Sequence, residues 1–348
     1  MPCVHKLDPE MAHKLAVFAM KHSIVRIKEE SEPDTLKTDL WNITFKNPIG
    51  IAAGFDKHGE AIKGLQQVGF GFVEIGSVTP LPQPGNSKPR VFRLDEDKAI
   101  INRYGFNSEG HSVVYDRVKK EFEKTCRPIV GVNLGKNKSS ENAIDDYVKG
   151  VNTFGNVADY LVINISSPNT PGLRTLQRRN ELETLISKVL LARNNLNLSK
   201  RPPLLLKIAP DLSQDEMKDI AAVILQENCR VDGIIISNTT ISRPDSLQSP
   251  LKNEIGGLSG EPLKDISTQC VKQMYQLTQG KIPIIGVGGI SNGQDAYDKI
   301  KAGASLVQLY TGFAYHGPPV VRKIKQELDS IIKSQGYNNI KEAVGKGA

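Results

Sequence analysis

The sequence predicts an α/β fold: a (β/α)8 TIM barrel with a small N-terminal helical extension. From residue 48 onward, eight short apolar runs alternate with patterns typical of amphipathic helices. Glycines and polar residues follow the runs, as they do at the active-site face of barrel enzymes. The 348 residues exceed the roughly 250 of a typical barrel, which leaves room for additions. A doubly wound open sheet is the alternative, but a single series of eight strand ends favours the barrel.

Residues 1–36 differ from the rest of the chain and predict an amphipathic helical segment. Asp8 is a good N-cap, and Pro9 suits the first helical position. Apolar residues at helical spacing share one face, namely Met11, Leu15 and Phe18. A second short helix is expected over 23–28. The segment either docks on the main domain or forms an interfacial helix pair that touches a membrane or frames an apolar tunnel. Residues 37–348 are predicted to form the barrel domain.

The remaining elements follow in alternation. Strands are predicted at 48–53, 72–78, 129–134, 160–165, 204–208, 233–237, 282–287 and 306–310. Helices are predicted at 60–68, 143–154, 176–196, 214–226, 263–277, 294–301 and 320–332. Two connections, 79–127 and 240–262, are too long for simple crossovers, so we expect them to build walls of a binding site.

Composition and charge argue against several classes of protein. With 39% hydrophobic and 24% charged residues, the chain is an ordinary globular protein. Its net charge of +7 is scattered without long basic runs, which argues against nucleic acid as a partner. The four cysteines lie far apart, and no histidines have the spacing of metal ligands, so neither a disulfide framework nor a metal site is predicted. No segment reaches the roughly 18 apolar residues needed to span a bilayer.

The run from Tyr160 to Ile163 predicts a strand that is covered on both faces. Its C-terminal end turns polar at Asn164, Ser166 and Ser167, before prolines start a loop. Amides also end two other predicted strands, at Asn133 and Asn238, and lie in the loops at Asn102, Asn107 and Asn169. Because an amide both donates and accepts hydrogen bonds, a ring of amides suits a flat heterocycle with carbonyl and N–H groups. We therefore expect a small molecule to react at these strand ends.

Two glycine-containing strand ends predict a phosphate site. Gly286-Val-Gly-Gly289 ends the seventh predicted strand, and Tyr310-Thr-Gly312 ends the eighth. Glycines let backbone N–H groups approach phosphate oxygens, and barrels often bind phosphate after these two strands. The alternative is a pair of tight turns without a ligand.

Two lysines lie at positions where a positive charge calls for a partner or a ligand. Lys207 lies in an apolar strand, where its charge must be paired. It either forms an internal ion pair with an aspartate or places a cation beside a cofactor ring that becomes negative on reduction. Lys57 follows a glycine turn and either is solvated or holds an anionic substrate.

The strand ends contain no histidine, glutamate or cysteine that would act as a base, which leaves Ser166 and Ser167. Alternation along the strand puts Asn164 and Ser166 on one face and Ser167 on the other. Because the strand is ending there, periodicity does not choose between the two serines.

These residues and their surroundings resemble the dihydroorotate dehydrogenase family, and within it the membrane-associated, quinone-using class (class 2). The motifs that carry the resemblance are IAAGFDKHGEA, GFVEIGSVTP, RVFRL, INRYGFNS, GVNLGKNK, SSPNTPGLR, KIAPDL, SNTT, GGLSG, IIGVGGISNGQDA and GASLVQLYT. The resemblance covers the chain from Leu7 onward and is strongest to animal-type mitochondrial enzymes.

The resemblance implies FMN in the barrel mouth and oxidation of (S)-dihydroorotate to orotate, the fourth step of de novo UMP synthesis, with ubiquinone as electron acceptor. By motif position it implies that the base is Ser167 rather than Ser166. The implied substrate contacts are Lys57, Asn102, Tyr104, Gly105, Phe106, Asn164, Asn169, Asn238 and Thr239. The implied FMN contacts are Ala53, Gly54, Ser77, Asn133, Asn164, Lys207, Ser237, Ser259, Gly260, Gly288, Gly289, Tyr310 and Thr311.

The resemblance also implies a quinone tunnel formed with the N-terminal helices. The implied tunnel residues are His13, Phe18, Arg93 and Tyr310, and His5 stands where we expect a glutamine. These helices are expected to touch a membrane surface, and the expected location is the mitochondrial inner membrane. The family's targeting and membrane-spanning segments are missing from this sequence.

The residues alone leave other functions open. A related flavin barrel would pass electrons to fumarate or NAD, but a soluble acceptor needs no amphipathic N-terminal helix. A barrel that binds a phosphorylated metabolite, or a non-catalytic interaction protein, would leave the asparagine set and Lys207 without a purpose.

Overall fold

The computed structural model describes residues 6–25 and 31–348. In chain order the strands are β1 Thr38–Leu40, β2 Ile43–Phe45, β3 Ile49–Ile51, β4 Phe72–Val78, β5 Val91–Leu94, β6 Ala99–Asn102, β7 Ile129–Leu134, β8 Tyr160–Asn164, β9 Leu204–Ile208, β10 Gly233–Ile236, β11 Gly257–Gly260, β12 Ile284–Val287 and β13 Ala304–Leu309. Strands β3, β4, β7, β8, β9, β10, β12 and β13 pair in parallel and close into a barrel. The predicted (β/α)8 barrel is therefore confirmed, and the open sheet is excluded.

The helices lie between the barrel strands and pack around them. They are α1 Pro9–Lys21, α2 Ile62–Val68, α3 His111–Phe122, α4 Ala143–Phe154, α5 Arg179–Asn194, α6 Gln214–Ile224, α7 Lys264–Leu277, α8 Gly293–Lys301, α9 Thr311–His316 and α10 Pro319–Ser334. Each helix predicted after residue 59 is present, with both ends within three residues of the predicted ones. Helices α3 and α9 were not predicted; α3 begins after Gly110 without a side-chain cap, so its start carries little signal.

Helix α1 lies in the N-terminal segment. In α1, the Asp8 side chain accepts a hydrogen bond from the Met11 N–H, as an N-cap does. The second short helix expected over 23–28 is not present over residues 23–25, and its remaining residues, like His5, lie outside the described part of the chain. Over the described residues, no helix combines the length and the apolar character needed to cross a membrane.

Two additions complete the barrel. The hairpin β1–β2 covers the N-terminal end of the barrel, where Phe45 contacts Phe72 with ring centroids 5.5 Å apart. The two long connections meet each other, because β5 and β6 from the first pair with β11 from the second in a three-stranded antiparallel sheet. Both connections contribute to the cavity described below, as expected from their length.

At the N-terminal end of the barrel, aspartates that precede two of the strands hydrogen-bond to neighbouring strands. Asp159 precedes β8, and its carboxylate accepts hydrogen bonds from the Val130 N–H at 2.8 Å and from the Arg127 guanidinium at 2.5 and 2.8 Å. Asp232 repeats the arrangement before β10, with the Leu204 N–H at 2.8 Å and an arginine at 2.6 Å. Each carboxylate therefore fixes the start of the neighbouring strand.

We expect Asp159→Ala to lower the free energy of unfolding by about 2–4 kcal/mol, because it removes charge-assisted bonds and leaves a strand N–H unpaired. Urea unfolding followed by circular dichroism measures the effect. Asp219→Ala is the control: it breaks an Arg179–Asp219 pair whose side chains are 53% and 45% exposed, and the expected loss is less than about 1 kcal/mol. Equal losses in the two variants would contradict this role for Asp159.

Candidate active site

A cavity opens at the carboxyl ends of the barrel strands. The structure brings to its wall every residue predicted to contact substrate or cofactor, with the exception of Asn133. These residues lie in the turns after the strands and in the sheet formed by the two long connections. The residues predicted from the resemblance that line it are Ala53, Gly54, Lys57, Ser77, Asn102, Tyr104, Gly105, Phe106, Asn164, Ser167, Asn169, Lys207, Ser237, Asn238, Thr239, Ser259, Gly260, Gly288, Gly289, Tyr310 and Thr311.

Amide side chains from three strands form the floor. Asn164 Nδ2 donates to Asn133 Oδ1 at 3.1 Å and to Ser77 Oγ at 2.8 Å. Asn238 Nδ2 donates to Asn164 Oδ1 at 3.3 Å. Asn133 is fully buried and also accepts a hydrogen bond from Ser77, so it lies behind the wall and orients the residues that line the cavity. The floor is thus a connected polar layer whose members hold each other in place.

The two candidate serines have different surroundings. Ser166 is fully buried and lies outside the cavity wall; its Oγ donates to Asn164 at 3.0 Å and accepts from Asn238 at 2.9 Å. Ser167 lines the cavity, and its Oγ accepts a hydrogen bond from the Asn169 N–H at 3.3 Å. Among the described residues, none accepts the hydroxyl proton of Ser167. Of the two hydroxyls, that of Ser167 is therefore accessible to a molecule in the cavity.

Lys207 forms the internal ion pair that one interpretation of the sequence expected, with one correction. Its ammonium lines the cavity and lies 3.5 Å from the carboxylate of Glu74, so the partner is a glutamate and not an aspartate. Glu74 is fully buried inside the barrel and also accepts hydrogen bonds from the side chains of Asn133 at 2.9 Å, Gln308 at 2.7 Å and Tyr160 at 3.3 Å. Burial, followed by the charge of Glu74, raises the pKa of Tyr160 well above its usual range, so the phenol remains a donor.

Glu74 and Gln308 were missed in the sequence analysis. A single glutamate within the otherwise apolar run of β4 was the available signal, because a charge in such a strand must find buried partners. Glu74 is fully engaged by donors and lies outside the cavity wall, so it does not replace the serines as a candidate base.

Glycines form the side of the cavity at which phosphate was expected. Gly288 and Gly289 have φ angles of +121° and +72°, which side chains other than glycine rarely adopt. A Cβ on Gly289 would lie 2.4 Å from the Cβ of Lys264, so the turn also requires close packing. Thr311, at the start of α9, lies across from this turn and its Oγ is 2.9 Å from the Oγ of Ser259. Backbone N–H groups and hydroxyls, rather than charged side chains, therefore form this end of the cavity.

A desolvated lysine lies at the other end. The Nζ of Lys57 is 3.9 Å from the centre of the Tyr104 ring, and no carboxylate among the described residues pairs with it. Burial, together with the nearby charge of Arg90, lowers the pKa of Lys57 to about 8 against the opposing charge of Glu10. An unpaired, desolvated ammonium is a binding site for an anion.

His13 connects helix α1 to this end of the cavity. Its Nε2 lies 2.7 Å from the carbonyl oxygen of Phe55, so Nε2 donates, and Nδ1 accepts from the Tyr104 hydroxyl at 3.3 Å. Burial lowers the pKa of His13 to about 4, which keeps the ring neutral at pH 7 and agrees with this tautomer. The position of α1 is therefore coupled to Tyr104 and, through it, to Lys57.

A second cavity lies between α1 and the loop that follows β3. His13 and Phe18 line it, and Lys57, Tyr104 and Asn107 belong to the walls of both cavities. Charged and apolar residues share its lining, with Glu10 and Arg90 beside Val17, Phe18 and Phe55. Tyr310 lines the first cavity with its ring 6.1 Å from that of His13, whereas Arg93, on β5, lines neither. Of the four predicted tunnel residues, the structure thus brings three together.

Comparisons with known proteins agree with this site. A family model described as dihydroorotate dehydrogenase matches residues 35–332. The chain is 53% identical to the mitochondrial dihydroorotate dehydrogenase (quinone) of Mus musculus, over 99% of this chain and 88% of the mouse protein. It is 51% identical to the dihydroorotate dehydrogenase (quinone) of Azorhizobium caulinodans, over 99% of this chain and 97% of the bacterial protein. A crystal structure of the enzyme from Eimeria tenella in complex with ferulenol is similar, with a TM-score of 0.94 and 45% identity, covering 99% of this chain and 98% of that one.

Proposed function

Since the chain belongs to the dihydroorotate dehydrogenase family, we propose that it holds FMN in the mouth of the barrel and uses Ser167 as its catalytic base. The enzyme is a flavin-dependent oxidoreductase. It oxidises dihydroorotate to orotate with a quinone as electron acceptor, which is a step of pyrimidine biosynthesis.

The cavity wall fits FMN at both ends. The flat ring of FMN carries carbonyl and N–H groups, which suit Ser77, Asn164 and the ammonium of Lys207. The phosphate suits the glycine turn and the start of α9, where backbone N–H groups are available. Bound FMN would supply the hydride acceptor and the electron carrier to the quinone. Lys207 would favour negative charge on the reduced ring, and Glu74 would hold that lysine in place.

The observation that carries the role of Ser167 is the chemistry of the cavity wall. Over the described residues, this wall contains Ser167 but no aspartate, glutamate, histidine or cysteine. The proton to be removed is at C5 of dihydroorotate, which the adjacent C4 carbonyl makes more acidic. Ser166 is engaged by two asparagines, whereas the Ser167 hydroxyl is accessible. Removal of the proton by a serine requires a further acceptor in the closed site, such as an ordered water.

Lys57 and the asparagines would orient the substrate. The ammonium of Lys57 would bind the substrate carboxylate, because it is desolvated and has no carboxylate partner of its own among the described residues. Asn102 and Asn169 are in contact, since Asn169 Nδ2 donates a hydrogen bond to the Asn102 carbonyl oxygen at 3.1 Å. Asn164 and Asn238 would bind the ring from the floor, and this arrangement would fix the C5 proton towards Ser167.

Residues 1–36 are proposed as the segment that admits the quinone, with ubiquinone as the acceptor. Three apolar side chains of α1 support contact with a membrane surface, because Met11, Leu15 and Phe18 are 59%, 47% and 52% exposed. His13 and Tyr310 would lie where the quinone approaches the flavin. The named relatives include both mitochondrial and bacterial enzymes, and we propose the mitochondrial inner membrane as the location of this one.

Ser167→Ala is expected to slow reduction of the flavin by dihydroorotate about 10²–10⁴-fold, because the proton acceptor is lost. Anaerobic stopped-flow absorbance measures the bleaching of the oxidised flavin. Ser166→Ala is the matched control and is expected to change this rate less than about tenfold, since its hydroxyl only joins two amides. An unchanged rate in Ser167→Ala contradicts the base assignment, and a colourless purified protein that takes up no FMN contradicts the cofactor.

The affinity for orotate is expected to fall as the pH rises above about 8. The bound anion favours protonated Lys57, so binding takes up a proton once the free lysine has lost its own, and Kd rises by up to about tenfold per pH unit. Titration of the flavin spectrum with orotate between pH 7 and 9 measures this. Lys57→Gln should bind orotate weakly at every pH and show no such slope; a retained slope would assign it to another group.

A Leu15→Glu, Phe18→Glu double variant is expected to raise the KM for a long-chain quinone in vesicles at least about tenfold, because it places charges on the apolar face of α1. The KM for dihydroorotate should not change. The matched control is Lys14→Glu, which alters charge on the same helix without altering the apolar face. Similar effects of both variants would indicate electrostatics rather than apolar contact.

A further inference from the structure

We propose that Lys299 is a positioning residue for cofactor binding, which holds the Gly288–Gly289 turn in its phosphate-binding geometry through Ser267. The inference rests on the proposed binding of FMN, whose phosphate this turn would receive. Lys299 lies on α8, outside the cavity, and has no part in the chemistry described above.

The ammonium of Lys299 is completely buried and is bound by oxygen atoms of α7. Its Nζ lies 2.6 Å from Ser267 Oγ, 2.7 Å from Thr268 Oγ1 and 3.2 Å from the Lys264 carbonyl oxygen. All three acceptors are in the first two turns of α7, and no carboxylate among the described residues forms a salt bridge with it. Burying a lysine without an ion pair lowers the stability of the fold, so a function for this lysine is expected.

The hydrogen bonds have a defined direction. The hydroxyl of Thr268 donates to the Lys264 carbonyl at 2.7 Å, so its oxygen accepts from Lys299. The Ser267 hydroxyl reaches two carbonyl oxygens, that of Lys264 at 3.1 Å and that of Gly288 at 3.3 Å. Three ammonium hydrogens therefore meet three oxygen acceptors. The Ser267 hydroxyl has one hydrogen, and the Lys264 carbonyl oxygen already accepts from Thr268 and Lys299, so this hydrogen is available to the Gly288 carbonyl oxygen. Because a bond from a cation strengthens the next bond in a chain, Lys299 then favours the contact from Ser267 to the glycine turn.

The glycine turn packs directly on this part of α7. A Cβ on Gly288 would lie 2.7 Å from Ser267 Oγ, and a Cβ on Gly289 would lie 2.4 Å from the Cβ of Lys264. The same region is fixed from the other side, because Asp295 of α8 binds both Lys264 at 3.3 Å and the Ser291 N–H at 3.0 Å. A shift of the first turn of α7 would therefore move the backbone N–H groups of the turn.

Charge supports the same role. Over the described residues, the wall of the main cavity contains two cations, Lys57 and Lys207, which are assigned to the substrate and the flavin ring. The phosphate end has only backbone and hydroxyl donors, and Lys299 is the buried cation behind it. Burial lowers the pKa of Lys299 to about 7, against the opposing charges of Asp295 and Asp265, and a phosphate bound nearby would favour its protonated form.

The test compares two flavins that differ only in the phosphate. The purified holoenzyme is diluted and the fluorescence of released flavin gives Kd for FMN; the measurement is repeated after exchange of the cofactor for riboflavin. Lys299→Met and Ser267→Ala are expected to raise Kd for FMN by about tenfold or more and to change Kd for riboflavin less than about twofold. Thr268→Val, which touches Lys299 but not the glycine turn, is expected to change both less than about threefold.

Equal weakening of both flavins in Lys299→Met and Ser267→Ala would show a general structural effect and overturn the inference, as would unchanged FMN binding in both. If Lys299→Met does not fold, Ser267→Ala still decides, because it keeps Lys299 with its bonds to Thr268 and Lys264 and removes the hydroxyl through which the proposal links Lys299 to Gly288. A wild-type protein that holds riboflavin as tightly as FMN would contradict the phosphate site itself, and thus the proposed cofactor together with this inference.

Discussion

The mouth of the barrel depends on one buried carboxylate, that of Glu74. Donors reach it from four other strands: Asn133 on β7, Tyr160 on β8, Lys207 on β9 and Gln308 on β13. Without this charge, several donors would be left unpaired in an apolar interior, each at a cost of about 1–3 kcal/mol. The carboxylate therefore fixes the strands relative to each other directly beneath the cavity, and it compensates the one cation that the flavin ring would contact.

A chain of hydrogen bonds leads from Glu74 to the residues at the floor of the cavity. Asn133, held by Glu74, orients Ser77 and Asn164, and Asn164 orients Ser166 and Asn238. Of the two adjacent serines, Ser167 is the one that lines the cavity. A polar network that is satisfied by its own members is rigid, which is what a site needs if it is to hold a flat ring and a proton acceptor in one geometry.

Much of this arrangement could be predicted from the sequence, and the omissions have physical reasons. The alternation of apolar runs with helical patterns, and the polar residues and glycines after each run, identified the barrel strands. Both signals lie within short stretches of the sequence. The partners of Glu74 come from strands up to 234 residues away, which no local pattern reveals. The pairing of β6 with β11 likewise joins distant connections. Alternation did not separate Ser166 from Ser167, because β8 ends at Asn164 and the alternation ends with it. The choice came from the family resemblance; in the structure, Ser167 lines the cavity and Ser166 does not.

The shared wall between the two cavities has a consequence for inhibition. A compound in the second cavity would touch Lys57, Tyr104 and Asn107, which also line the main cavity. Such a compound would not behave as a simple competitor of the quinone, because its binding would also change the apparent affinity for dihydroorotate. By reciprocity, bound dihydroorotate would change the affinity of the protein for the compound.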